Sequence, residues 1–203
     1  MKQHNLLCKT KRYKAKRKIS NRNKPRANRP RQFWGIDMTK IMISGFGWVY
    51  LVVILDWYSR KVVGWSLDIR SRSKEWINVL EEAVLKEFPN GVRDAGLNLI
   101  SDNGSQVTSR SFMDRCKILD INQIFTSYNN PKGNAETERF IRTLKEEVIW
   151  PLEFDNLEEA RTCIGEWIRY YNSEYVHSSL GYMSPLEYEE AYFSNISKGI
   201  KVA

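Results

Sequence analysis

One acidic residue closes a short apolar segment, and its chemistry has two interpretations. In "LISDNGSQVTS", residues 99–109, Asp102 follows the apolar run and precedes Asn103-Gly104. Such a step is ordinary turn chemistry, because Gly adopts positive φ and Asx side chains bond their own backbone. Open α/β sheets also carry functional groups where strands end, which is where Asp102 is expected. Asp102 is therefore a turn residue, a functional carboxylate or both.

Two other carboxylates stand in patterns that also permit two interpretations. Asp37 is polar within the apolar segment "FWGIDMTKI" and faces either outward from an alternating strand or into a site. Glu138 is predicted on a helix, on the side shared by Arg142 and Lys145. A helical Glu of this kind usually forms an i, i+4 ion pair, here with Arg142. The three acids are considered together below, where the 35 residues between Asp102 and Glu138 match a known spacing.

Five segments, taken in order, resemble a known family. They are "WGIDMTKI", "YLVVILDWYSRKVVGW", "ISDNGSQVTS", "NPKGNAETERFIRTLKEE" and "YNSEYVHSSLGYMSPLEY". With the D-D-35-E spacing, they resemble the catalytic core of retroviral integrases and, more closely, the OrfB transposases of IS3-type insertion sequences, members of the DDE superfamily. The resemblance runs from about Trp34 to Tyr188. It implies an RNase H-like fold.

The resemblance also implies that Asp37, Asp102 and Glu138 form a catalytic acidic triad that binds metal. Three carboxylates without His or Cys in their motifs offer hard oxygen ligands, which suit Mg²⁺ or Mn²⁺ rather than Zn²⁺. Two such ions about 4 Å apart activate an attacking oxygen and stabilise the leaving one in phosphodiester displacement. Attack by water cleaves a strand, and attack by a 3′-hydroxyl transfers one. The predicted function is that of a metal-dependent DNA transposase or integrase core.

Two neighbouring acids are left outside this triad. Glu136 would leave 33 residues after Asp102, and it points about 160° away from Glu138 around a helix. Asp56, in "ILDWYSR", recurs in the family but not as a triad member.

The chain departs from the family pattern at several points. Tyr175 stands where Arg is usual before the His of the C-terminal motif, and Lys40 stands where Tyr is common after the first Asp. For His177, we favour a packed or capping role over a DNA contact. Family members normally carry a helix-turn-helix region upstream, and residues 1–33 show no such pattern. We therefore expect a shortened reading frame with intact chemistry and lost targeting.

Basic and amide side chains near the triad are expected to contact DNA. Arg142 and Lys145 follow Glu138 by one and two helical turns, and in the family basic residues on this face hold the phosphates of the element's end. The alternative for both is a solubilising helix face. Asn134, in the loop that precedes the helix, is a further expected DNA contact.

The excess positive charge lies in the N-terminal segment. Residues 1–33 contain 13 Lys or Arg and no acid, which leaves 19 basic and 24 acidic residues in the remainder. With few large apolar residues, residues 1–32 are predicted to be a disordered basic arm that releases phosphate counterions on binding nucleic acid. A solvated tail is the alternative. The expected DNA contacts in the arm are Lys11, Arg12, Lys16, Arg17 and Lys18.

The elements that would position these residues follow the order βββαβαβαα. Short links predict an antiparallel meander, in which alternation places Val63, Trp65, Leu67 and Ile69 on one face of the third strand. Ser73 is expected to cap the first helix. Two further strands, "LNLIS" and "NQIFTS", are reached through helices and are expected to be parallel. The predicted fold is an α/β, RNase H-like mixed five-stranded sheet, antiparallel β1-β2-β3 followed by parallel β4 and β5, with helices on both faces.

Length and composition bound the remaining properties. The 203 residues suffice for one core domain, predicted over 33–195 with a C-terminal helical extension and followed by a tail at 196–203. No run approaches the roughly 20 apolar residues of a membrane span. Three cysteines without a pairing pattern indicate a reducing compartment. With the resemblance to transposases, this implies a cytoplasmic protein associated with the bacterial nucleoid. The expected partners are DNA, as element ends and target, and further copies of the chain assembled on it.

Three other functions remain open at this stage. An inactive nucleic-acid-binding remnant of a transposase would keep the fold and the arm, and an RNase H-type nuclease would keep the chemistry. A ribosomal or RNA-chaperone protein would explain the arm but not the triad.

Overall fold

The computed structural model describes residues 25–126 and 133–199. The arm residues Lys11, Arg12, Lys16, Arg17 and Lys18, and the Asn130-Pro131 step of the loop, lie outside these ranges. The strands are β1 (Phe33–Ile43), β2 (Gly47–Asp56), β3 (Val62–Asp68), β4 (Asn98–Ser101) and β5 (Asn122–Phe125). The α-helices are α1 (Ser73–Glu87), α2 (Arg110–Ile118), α3 (Ala135–Leu144), α4 (Leu157–Ser173) and α5 (Pro185–Ser197).

The five strands form one mixed sheet with the order β3-β2-β1-β4-β5. Strand β2 pairs antiparallel with both β1 and β3, whereas β1 pairs parallel with β4 and β4 pairs parallel with β5. The predicted strand directions are confirmed. The described helices include one beyond the predicted order, α5, which belongs to the C-terminal extension. Within the described ranges, no helix is both long enough and apolar enough to span a membrane.

Apolar side chains cover both faces of the sheet, and the alternation of β1 decides which residues serve each face. One buried cluster joins the sheet to α1 and α2 and includes Trp34, Ile36, Leu80 and Phe112. The other joins it to α3 and α4 and includes Ile41, Ile43, Phe140 and Ile164. Asp37, like Ile41 and Ile43, is an odd-numbered residue of β1, so its side chain points to the face of the sheet that α3 covers.

Two local predictions need correction. Ser73 is the first helical residue rather than the cap, because Arg72 takes the N-cap position and its backbone N–H donates to Glu75 Oε2 at 2.7 Å. The third strand does not keep one alternating face. A register shift between Ile54 and Leu55 lets Val63 pack with α1, whereas Leu67 packs in the opposite cluster.

A buried carboxylate anchors the segment before β1 to the turn after β2. Asp56 Oδ2 accepts hydrogen bonds from the Arg31 backbone N–H at 2.7 Å and from Trp34 Nε1 at 3.2 Å. Its Oδ1 accepts from the backbone N–H groups of Tyr58 and Ser59 at 2.8 and 3.0 Å. Burial raises the pKa of Asp56, and these bonds oppose that rise. The contacts give Asp56 a structural role.

A second charged network holds the C-terminal extension on the domain. Lys61 Nζ lies 2.9 Å from Glu87 Oε2 of α1 and also pairs with Glu189 of α5. The Arg31 guanidinium pairs with Glu87 at 3.3 Å. Arg29 also contacts the core, donating to the Ala95 carbonyl at 2.7 Å. The last residues assigned to the arm therefore pack on the domain, and the domain boundaries themselves stay predictions.

Candidate active site

Two of the predicted acids lie just beyond the paired residues of β1 and β4. In the parallel pair, Gly35 of β1 lies opposite Ile100 of β4. Asp37 and Asp102 each lie two residues beyond this last pair, and Asp102 directly follows β4. Neighbouring strands lie about 4.8 Å apart. The two aspartates are near enough for the charge of Asp102 to raise the pKa of Asp37.

Asp102 also forms the turn that its sequence predicts. Its Oδ1 accepts a hydrogen bond from the Gly104 backbone N–H at 2.9 Å, and the residue is exposed. The Asp-Asn-Gly step thus closes an Asx turn directly beyond the strand. This turn fixes one carboxylate oxygen and keeps the group at the edge of the sheet, where a ligand can reach it.

An unusually close packing contact seats the start of α3 on β1. A Cβ at Gly35 would lie 2.1 Å from Thr137 Oγ1 and 2.5 Å from Trp57 Nε1, so only glycine permits this approach. Trp57 Nε1 donates to Thr137 Oγ1 at 3.3 Å, and Asn134 Nδ2 donates to the Ile36 carbonyl at 3.2 Å. The first turn of α3 is thereby fixed beside the residues that precede Asp37.

Asp37 and Glu138 line one open cavity of about 400 Å³ between β1 and α3. Arg142 and Lys145 line the same cavity. Glu138 does not form the i, i+4 pair that its sequence permits, because Arg142 Nε donates instead to Glu146 Oε1 at 2.8 Å. The predicted acids and bases of α3 therefore face a common space.

The pKa of Asp37 reflects its burial and the neighbouring acids. The pKa of Asp37 is raised to about 6, mainly by burial and to a smaller extent by the charges of Asp102 and Glu138. A hydrogen bond from the Met38 backbone N–H, at 2.8 Å, and the charge of Lys145 oppose the rise. The positive charge near Asp37 is therefore too small to offset its burial and the two neighbouring acids.

The three predicted acids offer the kind of ligands that a hard divalent cation prefers. In the part of the chain that the structure describes, no three Asp, Glu, His or Cys side chains lie close enough to hold a metal ion as they stand. Asp37, Asp102 and Glu138 nevertheless offer oxygen donors alone, as Mg²⁺ and Mn²⁺ prefer. A cation among them would favour the charged form of Asp37, which burial and the neighbouring acids disfavour. The triad stays a prediction that this chemistry supports.

Two other residues considered from the sequence lie elsewhere. Glu136 pairs with Arg60 at 2.5 Å on the opposite side of α3, in a separate cavity of about 590 Å³. That placement agrees with its exclusion from the triad. Asn134 is only 5% exposed, and its amide is hydrogen-bonded to β1. This contact makes Asn134 a positioning residue of α3, and its contact with DNA stays a prediction.

The structure accounts for the departures in the C-terminal motif. The Tyr175 hydroxyl donates to Glu147 Oε1 at 2.9 Å, so it supplies a neutral partner to an acid with which Arg would form an ion pair. The His177 ring packs 5.2 Å from the rings of both Tyr171 and Tyr175. Burial, aided by Arg60, lowers the pKa of His177. His177 thus has the packed role that we favoured from the sequence.

Trp150 is one residue of the cavity that sequence reasoning missed. Trp150 lines it beside Arg142 and Lys145, and its side chain is 66% exposed. The only sequence signal was a Trp that precedes Pro151 at the end of a helix, away from the apolar face. A regular helical period does not place it on the side of Glu138.

Solved structures and curated relatives resemble the chain over most of its length. The HTLV-2 integrase catalytic core domain in complex with magnesium superposes with a TM-score of 0.61 at 19% identity, covering 81% of this chain and 99% of that one. This likeness establishes the RNase H-like fold.

The transposase for insertion sequence element IS904 of Lactococcus lactis subsp. lactis (strain IL1403) is 35% identical over 196 residues, covering 91% of this chain and 76% of the relative. The putative transposase InsK for insertion sequence element IS150 of Escherichia coli (strain K12) is 31% identical, with coverages of 80% and 56%.

Family models give the class directly. A model described as integrase core domain matches residues 27–131, and a second model with the same description matches residues 119–185. The chain therefore belongs to the integrase core domain family, and it is related within that family to insertion-sequence transposases. The resemblance predicted from the sequence is confirmed. The chain spans about three quarters of the IS904 relative and little more than half of the IS150 relative.

Proposed function

We propose that this chain is the catalytic core of a DNA transposase, which cleaves phosphodiester bonds and transfers strands during transposition. The observation that supports the proposal most directly is the cavity between β1 and α3. It is lined by Asp37 and Glu138 with Arg142 and Lys145, and the charge of Asp102 acts on Asp37. A site that binds both a metal ion and a phosphate needs carboxylates for the metal and basic side chains for the phosphate.

Asp37, Asp102 and Glu138 are the residues that would hold Mg²⁺ or Mn²⁺, with two ions expected. When bound, such ions activate the attacking oxygen and stabilise the leaving oxygen of an in-line displacement. The protein supplies the frame. Strand pairing sets the separation of the two aspartates, and the seat of α3 on β1 sets the position of Glu138.

The basic residues of α3 would hold the backbone of the DNA strand. Among the residues that the structure describes, Arg142 pairs with Glu146 on an exposed surface, and such pairs contribute little free energy. A phosphate can therefore replace the Glu146 carboxylate at small cost. Lys145, one helical turn further on, would hold a neighbouring phosphate and would also favour the charged form of Asp37. These contacts position DNA without reading its sequence.

The substrates and the assembly follow from the same proposal. We expect the element ends and a target duplex as DNA partners, with water or a 3′-hydroxyl as the attacking group. Several copies of the chain are expected to assemble on DNA, and the magnesium complex of the HTLV-2 core was itself solved as a trimeric form. The transposase is favoured over an RNase H-type nuclease because the matched relatives are named transposases.

A pair of variants on α3 tests the proposal. Glu138→Gln keeps the shape and removes the charge, so Mg²⁺-dependent cleavage and joining of labelled duplex DNA should fall to background. Glu136→Gln is the matched control on the same helix, because it alters only the opposite face, where Glu136 pairs with Arg60. Cleavage by Glu138→Gln at the wild-type rate, or equal loss in both variants, would refute the assignment.

A further inference from the structure

An exposed indole stands beside the carboxylates. Trp150 lines the cavity that contains Asp37, Glu138, Arg142 and Lys145. We propose that Trp150 is a stacking platform for an unpaired DNA base, which it holds next to the phosphates bound by α3. The inference rests on the proposed function, because it names how that same site receives its strand.

A local change of helix geometry directs Trp150 to this place. The helix changes from α to π over Lys145–Ile149, and the Trp150 backbone N–H donates to the Lys145 carbonyl at 2.8 Å. In a regular α-helix, residue 150 would lie about 140° around the axis from Lys145. In this wider turn the backbone of Trp150 is bonded to Lys145, so the Trp150 side chain lies on the side of the helix that faces the cavity. Single π turns of this kind occur frequently at functional sites.

The surroundings of Trp150 match a nucleotide better than another protein surface. Protein interfaces lose charged residues at their centre, whereas this cavity contains three acids and two bases, Glu146 among the acids. Proteins that bind single strands combine a cationic path for the backbone with aromatic side chains on which bases stack. Arg142 and Lys145 supply that path within the same cavity as Trp150.

The occupant is therefore a nucleotide whose phosphate meets the cations and whose base leaves the duplex. A paired base already stacks on its neighbours and offers no free face, so the inferred partner is a single-stranded or frayed end. Stacking does not depend on base identity, because every base has a π face. The site should prefer unpaired nucleotides without preferring a sequence.

Equilibrium binding to three DNA probes tests this inference. The full chain is titrated, in chelator and so without cleavage, against duplexes that carry a single-stranded 3′ extension, the same extension with abasic sugars, or no extension. Trp150→Ala should weaken binding to the base-containing extension by about 5- to 150-fold and leave the other two affinities unchanged. Trp150→Phe should retain most of the preference. Trp48, a second indole that is 56% exposed and lies on the β1–β2 hairpin, gives the matched control Trp48→Ala, which should change none of the affinities.

Three results would overturn the inference. Wild-type binding of all three probes by Trp150→Ala, or an equal loss of affinity for the abasic extension, would leave no role for a base. The variant could instead change the sedimentation of the DNA-free protein with DNA affinity intact, which would make Trp150 a contact between protein copies. Cleavage assays separate this inference from the proposed function. Loss of cleavage in Glu138→Gln with no base-dependent effect of Trp150→Ala rejects stacking alone, and the opposite pair of results rejects the triad alone.

Discussion

Gly35 and Thr137 are packed so closely that a methyl group on Gly35 would lie 2.1 Å from Thr137 Oγ1. Gly35 is two residues before Asp37, and Thr137 is the residue before Glu138. The contact therefore sets the spacing between β1 and the helix that carries the third predicted acid. The geometry of the site depends on a position that has no side chain.

Gly35→Ala should impair activity more than stability. The added methyl group must push α3 away from β1, and overpacking of this kind costs about 1 to 3 kcal/mol of unfolding free energy. A displacement of about 1 Å at reacting groups can reduce a rate about 100-fold. Urea unfolding and DNA cleavage are measured together. Gly165→Ala in α4, where the new Cβ would meet Trp65 at 3.1 Å, is the control and should keep near-normal activity. Normal cleavage by Gly35→Ala would show that the site tolerates a shifted helix.

The metal-free protein should lose stability as the pH rises through the titration of Asp37. The pKa of Asp37 in the folded protein is raised from 3.8 to about 6, so the folded state retains a proton that the unfolded chain has released over that interval. The contribution of Asp37 to stability is then greatest below about pH 4 and is lost as the pH rises to about pH 6. Asp37→Asn removes this loss and should stabilise the metal-free protein at pH 7 by about 1 to 2 kcal/mol, after allowance for solvent screening.

Urea unfolding at pH 4 and pH 7, in chelator, measures the effect. The advantage of Asp37→Asn over the wild type should be larger at pH 7, and Mg²⁺ should stabilise the wild type more than the variant. An advantage that does not change with pH would mean that Asp37 is not under electrostatic strain.

The buried pairing of Lys61 should stabilise the attachment of α5. Lys61→Met would leave the carboxylates of Glu87 and Glu189 without their shared cation, and loss of one partner of a buried pair costs about 3 to 5 kcal/mol. Arg31, 3.3 Å from Glu87, should limit the cost to the lower end of that range. Chemical unfolding measures it, with Lys86→Ala on the exposed side of α1 as the control. A change no greater than that of the control would show that the network is dispensable.

The sequence predicted the sheet because strand directions follow from the lengths of the links between strands. The candidate site came from the resemblance to a known family and its D-D-35-E spacing, and it stays a prediction. The turn predicted at Asp102 is confirmed. The rejection of Glu136 followed from its spacing after Asp102 and from helix geometry, and its pairing with Arg60 places it on the other side of α3. Such features do not require knowledge of distant contacts.

The features that sequence reasoning missed depend on tertiary contacts or on irregular backbone. Trp150 was missed because a helical period of 3.6 residues cannot anticipate a π turn. Arg72 was missed as a cap because Arg has no acceptor, and the site is satisfied by Glu75 instead. The role of Gly35 becomes visible only when α3 packs on β1, since nothing nearby in the sequence demands a glycine there.

The final prediction concerns how much of the DNA affinity comes from the N-terminal charge. Residues 1–24 contain 10 Lys or Arg and no acid, whereas Arg29 and Arg31 are committed to contacts with the domain and must be kept. Deleting residues 1–24 should flatten the plot of log K against log salt for duplex DNA, by about 0.9 for each phosphate that the deleted cations neutralise. The unfolding free energy should not change, which urea titration checks on the same protein. The triple substitution Lys16→Gln, Arg17→Gln and Lys18→Gln should reduce the slope by a smaller amount, in proportion to the charge removed. An unchanged slope after the deletion would place the non-specific affinity on the domain itself, with Arg142 and Lys145 as the first residues to test.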